Sequence, residues 1–172
     1  MNHIDNNHIL QAMGIQRWQP ITTHKLDNPP HKNVHAKLMI VSHQEEPHVG
    51  KDNQLLDAML ASIGLDRSNT HITTVLKHET PEGKESCASF LIKQIALVQP
   101  DLILAMGDIA AHSLLNTTTP LAELRGKIHT HGQDKTPVIV TYHPMHLLHT
   151  PKDKGKAFQD LQMVQRRLID NQ

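Results

Sequence analysis

From residue 36 onward, short β-branched apolar runs alternate with stretches whose apolar residues recur at helical spacing. Residues 37–42, 70–76, 102–106 and 137–141 read as strands, rich in Val, Ile, Leu and Thr. Residues 54–63, 84–98, 109–115 and 154–169 read as helices. Gly64 caps the first helix, Pro100 follows the second, and Gly107 turns the third strand into the third helix. This βα alternation predicts a three-layer α/β/α domain over residues 36–172, with a central four-stranded parallel sheet. Ahead of it, residues 1–18 carry Ile4, Leu10, Met13 and Ile15 in a pattern of one or two helical turns, stopped at Gly14. Residues 19–35 contain Pro20, Pro29 and Pro30 among polar residues and read as a linker.

The end of the last strand concentrates the chemistry. Val138-Ile139-Val140 runs into Thr141-Tyr142-His143-Pro144. A strand that stops at His-Pro sets an imidazole at the carboxyl edge of the sheet, where ligands of open α/β folds bind. Met145, Leu147 and Leu148 follow on what reads as a loop. They serve as a wedge into DNA, a partner contact or simple packing. A proton carrier followed by apolar residues suits a site that handles a base taken out of the DNA stack.

Composition narrows the classes. The 172 residues have formal net charge 0 and a pI near 7.3, so bulk electrostatics do not argue for tight non-specific DNA binding. The 15 histidines titrate around a reference pKa of about 6.5, so mild acid raises the charge. One cysteine excludes an intramolecular disulfide and fits a reducing compartment. With no leader or long apolar run, a soluble cytoplasmic protein is expected. Aromatics, at 2%, are too few for a stacking platform on single strands. His129 and His131, and His146 and His149, have spacings that can bind zinc, but no Cys or carboxylate falls at motif spacing beside them. The expectation is a His-rich composition and no metal site.

Several motifs, in order, resemble the uracil-DNA glycosylase superfamily, its bacterial iron–sulfur (family 4) branch in particular. In that branch the last strand runs into Thr-Tyr-His-Pro, then a DNA-wedging loop, then a Pro and a Lys-bearing helix. Here the same stretch continues Leu147-Leu148-His149-Thr150-Pro151-Lys152, then Phe158-Gln159-Asp160-Leu161. Upstream, Glu46-Pro47-His48-Val49-Gly50 with Gln54-Leu55-Leu56-Asp57 resembles the segment that carries the uracil-stacking aromatic. Ile72 to Lys77, Ala105 to Ala111 and Leu124-Arg125-Gly126 resemble further family elements. The resemblance implies His143 as a donor to the uracil carbonyl, a base pocket at Ser42, His48 and Thr74, and DNA contacts at Met145, Leu147, Leu148 and Lys152.

The departures are specific. The family's first strand ends in Gly-Glu-x-Pro-Gly, whose carboxylate activates water or stabilises charge. Here Val41-Ser42-His43-Gln44-Glu45 stands instead, with a shortened loop. Glu45 is either a displaced catalytic carboxylate or a solvated loop residue. The stacking aromatic becomes His48, and the Asn that reads the uracil edge becomes Thr74. The cluster-binding cysteines are reduced to Cys87, so no iron–sulfur cofactor is expected.

A second resemblance lies outside that domain. Ile9-Leu10-Gln11-Ala12-Met13-Gly14-Ile15-Gln16-Arg17-Trp18 resembles the amino terminus of the psi subunit of bacterial DNA polymerase III. That resemblance implies a partner-binding peptide, with Leu10, Met13, Ile15 and Trp18 as anchors, and a clamp-loader subunit and a chi-like subunit as partners. Trp is enriched at binding hot spots. From the sequence, the leading expectation is a catalytically degenerate, psi-like accessory of the clamp loader. An active uracil-DNA glycosylase with an altered site is the alternative, and a repair-associated DNA binder is a third reading.

Overall fold

The structure is a computed structural model that describes residues 36–43, 50–75 and 87–170. All of these lie in the unit Asn33–Gln172. The elements run β1 (Leu38–Ser42), α1 (Lys51–Ala61), β2 (Thr70–Thr74), α2 (Cys87–Val98), β3 (Leu102–Met106), α3 (Asp108–Leu115), α4 (Leu121–Leu124), β4 (Ile128–His131), β5 (Thr136–Thr141), α5 (Pro144–His149), a 3-10 turn (Pro151–Asp153) and α6 (Lys154–Asp170).

Hydrophobic continuity explains the sheet. The strand order is β2-β1-β3-β5-β4. The two strands β1 and β3 read Leu-Met-Ile-Val-Ser and Leu-Ile-Leu-Ala-Met and are buried along their whole length. Such runs suit a parallel sheet covered on both faces. β1 pairs in parallel with β2 and with β3, and β3 with β5. The chain leaves β1 toward β2, then returns across β1 to reach β3. Right-handed crossovers therefore put α1 and α2 on opposite faces. α3 packs on β1 and β3, and α6 packs on β3 and β5. Leu38, Ile40, Leu102, Leu104 and Ile139 are fully buried in the resulting core. Each such side chain contributes about 1.5–3 kcal/mol relative to exposure.

Two expectations need correction. The sheet has five strands, not four: β4 pairs antiparallel with β5, with His129 opposite Val138 and His131 opposite Thr136. Its sequence, Ile-His-Thr-His, offers one apolar residue, and an edge strand needs no buried face. The stretch after His143 is a helix rather than a loop. Pro144 stops the strand, as expected, yet it also occupies the first turn of α5, where its missing N–H costs nothing. Within α5, Pro144 and Leu147 face inward. Among the described residues, no helix is long and apolar enough to cross a membrane.

The switch point follows from this order. Connections leave β1 and β3 toward opposite edges of the sheet, so a crevice opens beyond their carboxyl ends. Ser42, His43 and Gly107 stand there, and β5 delivers His143 beside them.

Candidate active site

Each strand end supplies one piece. Ser42 closes β1 in register with Thr74 of β2, and the Val75 N–H donates to the Ser42 carbonyl at 2.8 Å. Met106 of β3 is in register with Thr141 of β5, and the Gly107 N–H donates to the Thr141 carbonyl at 2.9 Å. Gly107 has φ +91°, and a Cβ there would stand 3.4 Å from the His143 Cβ and 4.0 Å from His43 Nδ1. The backbone conformation favours glycine at this turn, and a Cβ would meet only ordinary contacts.

His143 is 4% exposed and caps α5: the Met145 N–H donates to its Nδ1 at 3.2 Å. That donor makes Nδ1 the lone-pair nitrogen, so a neutral ring carries its proton on Nε2. Nε2 lies 3.1 Å from the buried Ser42 hydroxyl, to which its N–H donates. The His43 ring meets the His143 ring edge to face, with centroids 4.8 Å apart and planes at 61°. Two imidazoles and a hydroxyl therefore line the crevice. They can donate to a base carbonyl and exchange protons with water.

Next to this crevice lies a charged network. Tyr142 stacks on His146, with centroids 4.6 Å apart, and the Arg125 guanidinium sits 4.7 Å from the centre of the same tyrosine ring. Arg125 Nε donates to Asp160 Oδ2 at 2.9 Å, Nη2 lies 2.7 Å from the same oxygen in an ion pair, and Nη2 donates to the Lys156 carbonyl at 2.5 Å. His146 Nε2 donates to Asp153 Oδ2 at 2.9 Å, and Lys156 Nζ donates to Asp153 Oδ1 at 2.9 Å. The His146 bond, then the Lys156 ammonium, hold the Asp153 carboxyl below the ordinary carboxylate range. Burial pushes the Asp160 carboxyl up. Arg125, the Gly126 backbone and the nearby Thr141 hydroxyl oppose that shift, although the hydroxyl falls outside hydrogen-bonding geometry. This network ties α5 to α6 and to the chain ahead of β4.

The sequence-derived candidates divide three ways. His143 and Ser42 come into contact, and Thr74 lies beside Ser42 in register. Met145 and Leu148 are 40% and 37% exposed on α5, and Lys152 is exposed on the 3-10 turn. Leu147 needs correction as a DNA contact. It is 1% exposed because α5 turns it into the core. Glu45, His48, Leu10, Met13, Ile15 and Trp18 lie outside the described residues.

Three of the spaced histidines, His129, His131 and His146, have backbone or carboxylate partners. His129 Nε2 donates to the Leu124 carbonyl at 2.8 Å, and His131 Nδ1 donates to the Leu114 carbonyl at 2.7 Å. Among the described residues, no group of three or more His, Cys, Asp or Glu is placed to hold a metal ion. One cysteine, Cys87 at the start of α2, does not fit a cluster that wants four thiolates.

Sequence reasoning passed over His43, Tyr142, Asp153 and Asp160 as functional residues, and noted Arg125 only as part of a family element. The bond between Arg125 and Asp160 spans 35 residues, which no local pattern reveals. A usable signal existed for His43: it stands one residue past a fully buried strand, at the sheet edge where ligands bind.

A mostly parallel sheet with a buried His-Pro strand end beside its switch point defines a class, and comparison with known proteins gives the family. Residues 29–162 match the uracil DNA glycosylase superfamily, and the chain belongs to it. A Type-4 uracil-DNA glycosylase of Archaeoglobus fulgidus is 33% identical over 132 residues, covering 69% of this chain and 66% of that protein. One from Pyrobaculum aerophilum is 31% identical over 130 residues, 68% of this chain and 66% of that protein. One from Thermotoga maritima is 33% identical over 111 residues, 59% of this chain and 57% of that protein. The chain thus spans slightly less than two thirds of these relatives' length.

These relatives overturn the reading of the chain as a degenerate, psi-like accessory of the clamp loader. The psi-like motif is ten residues long, whereas the glycosylase match runs through most of the chain. The lean away from catalysis is likewise unsupported.

Proposed function

We propose that this chain is a uracil-DNA glycosylase that hydrolyses the N-glycosidic bond of deoxyuridine in DNA, the first step of base excision. The observation that carries the reading is His143: buried, beside the switch point, its Nδ1 engaged by the Met145 N–H and its Nε2–H held by the buried Ser42 hydroxyl. When the glycosidic bond breaks, the electron pair leaves with the base, and negative charge develops on its carbonyl oxygen. A fixed N–H donor beside that oxygen stabilises the transition state more than the ground state. In the free protein the Ser42 hydroxyl occupies Nε2–H, so the base carbonyl takes over an existing bond instead of meeting an unsatisfied donor.

DNA is the partner this reading requires. The base must leave the stack to reach a crevice between strand ends. Met145 and Leu148 on α5 offer apolar surface to fill the gap, and Lys152 offers a cation for a phosphate. Thr74 has no amide to read both edges of uracil, so discrimination rests on other groups of the pocket.

The test is release of uracil from an oligonucleotide with one deoxyuridine, read as strand breakage after alkali. Cleavage at that position, with none at deoxycytidine or thymidine, supports the proposal. No cleavage above a protein-free control over many hours, with folded protein, removes it.

A further inference from the structure

α5 has six residues, Pro144–His149, and an isolated helix of that length is marginal in water. Its position must therefore be imposed by the rest of the domain. The His143 side chain caps its start, and Leu147 packs into the core. Met145 and Leu148 are instead turned partly to solvent, at 40% and 37% exposure. We propose that Asp153 is a positioning residue for opening duplex DNA: its carboxylate grips His146 and so fixes α5, whose Met145 and Leu148 fill the gap left by the extruded base. This role rests on the glycosylase reading above.

The geometry of one carboxylate carries the argument. Asp153 is 6% exposed, and both of its oxygens are engaged: His146 Nε2 donates to Oδ2 and Lys156 Nζ to Oδ1, each at 2.9 Å. An ionised carboxylate only accepts, so the proton of the His146 bond stands on Nε2 whether the ring is neutral or cationic. The grip is therefore independent of the charge on His146. Bonds to an ionised acceptor are also about twice as strong as bonds between neutral groups. The His146 bond, then the Lys156 ammonium, hold the Asp153 carboxyl below the ordinary carboxylate range, so it is ionised at neutral pH. Tyr142 supplies a second hold on the imidazole, stacked at a centroid distance of 4.6 Å with planes at 14°. Backbone bonds continue the connection: the Thr150 N–H donates to the His146 carbonyl at 2.7 Å, and the Asp153 N–H to the Thr150 carbonyl at 3.1 Å. Lys156 belongs to α6, which packs on β3 and β5. Asp153 thus joins a helix too short to hold itself to one that is fixed on the sheet.

The consequence is specific to duplex DNA. Uracil in a base pair must be unpaired and unstacked before it reaches the crevice, whereas a single strand has no pair to break. An apolar side chain that enters the vacated gap stabilises the opened state only as far as its backbone already holds position. A loose α5 would lose part of that contact energy to its own ordering. The chemistry at His143 is untouched by this, because the cap on α5 and the Ser42 bond belong to the other end of the helix.

The experiment measures single-turnover uracil release at saturating full-length protein from one deoxyuridine oligonucleotide, either alone or paired with its complement. Wild type, Asp153→Ala, His146→Ala and the double variant are compared, with thermal unfolding as a folding control. Each single variant should slow release from the duplex about tenfold, as loss of one charge-assisted bond implies. Release from the single strand should stay within about twofold of wild type. The double variant should be no slower than either single one, because both remove the same bond. The His146 side chain is 43% exposed, so His146→Ala carries the test if Asp153→Ala does not fold. If release from both DNAs slows in parallel, Asp153 supports the fold or the chemistry rather than duplex opening, and the proposal is overturned. An unchanged duplex rate in either folded single variant overturns it as well, as does a double variant slowed about a hundredfold, the product expected of two independent effects. In each of these cases the glycosylase reading stands. If folded wild type releases no uracil from either DNA, both fall together.

Discussion

His143 and Tyr142 are neighbours at the end of β5, and they are held in opposite ways. His143 meets a hydroxyl, a backbone amide and the edge of another imidazole. Tyr142 sits under the Arg125 guanidinium and against His146, inside a web that joins Asp160, Asp153 and Lys156. Neutral bonds exchange for substrate bonds at small net cost, because each contributes about 0.5–1.5 kcal/mol. Buried charged bonds do not, since losing one partner strands the other. On the proposed reading, the group that meets the base exchanges neutral bonds, while charged bonds hold the helix that follows it.

The largest expected effect is at the charged end. Asp160→Ala leaves the largely buried Arg125 without its carboxylate and should destabilise the fold by about 3–5 kcal/mol in denaturant titration. Replacing both members, as Asp160→Leu with Arg125→Met, should restore most of that loss. A single-variant loss below about 1 kcal/mol would mean that the network does not anchor α5.

Acid separates the two carboxylates of the web. Asp153 has its pKa lowered in the fold, so its contribution is present above the ordinary carboxylate value and is lost as pH falls through the lower folded value. The melting-temperature gap between wild type and Asp153→Asn should therefore close in strong acid. Asp160, whose pKa is raised, has the opposite sign. Its ionisation opposes folding, and that penalty fades as pH falls through the raised value toward the ordinary one. A gap for Asp153→Asn that widens on acidification would contradict this assignment.

The smallest effect belongs to the neutral end. Ser42→Ala removes one hydroxyl partner of His143 and should cost about 1 kcal/mol or less in stability. Uracil release should stay within about fivefold of wild type, since the base carbonyl replaces the hydroxyl in the complex. A hundredfold loss would show that Ser42 takes part in the reaction.

Much of the fold was legible because its central strands β1 and β3 are buried on both faces. Leu102–Met106 reads as a strand from its apolar run alone, and 154–169 reads as a helix from the spacing of Ala157, Leu161, Val164 and Leu168. β4 was not legible, since an exposed edge strand of Ile-His-Thr-His is patterned by its partner rather than by a core. α5 was misread because Pro144 both ends a strand and begins a helix, and that ambiguity also misplaced Leu147. At the site, His143 announced itself through Pro144 and the preceding β-branched run. The Arg125–Asp160 pair did not, because its meaning comes from a contact far apart in sequence.

The central claim is that the Nε2–H of His143 stabilises the leaving base. Its most direct test compares single-turnover uracil release by wild type and His143→Ala at neutral pH and saturating protein, with thermal unfolding confirming that both are folded. Removal of one such donor costs about a hundredfold to a thousandfold in rate elsewhere, and a loss of that order is predicted here with binding of uracil-containing DNA retained. A folded His143→Ala that releases uracil within about threefold of wild type would contradict the account.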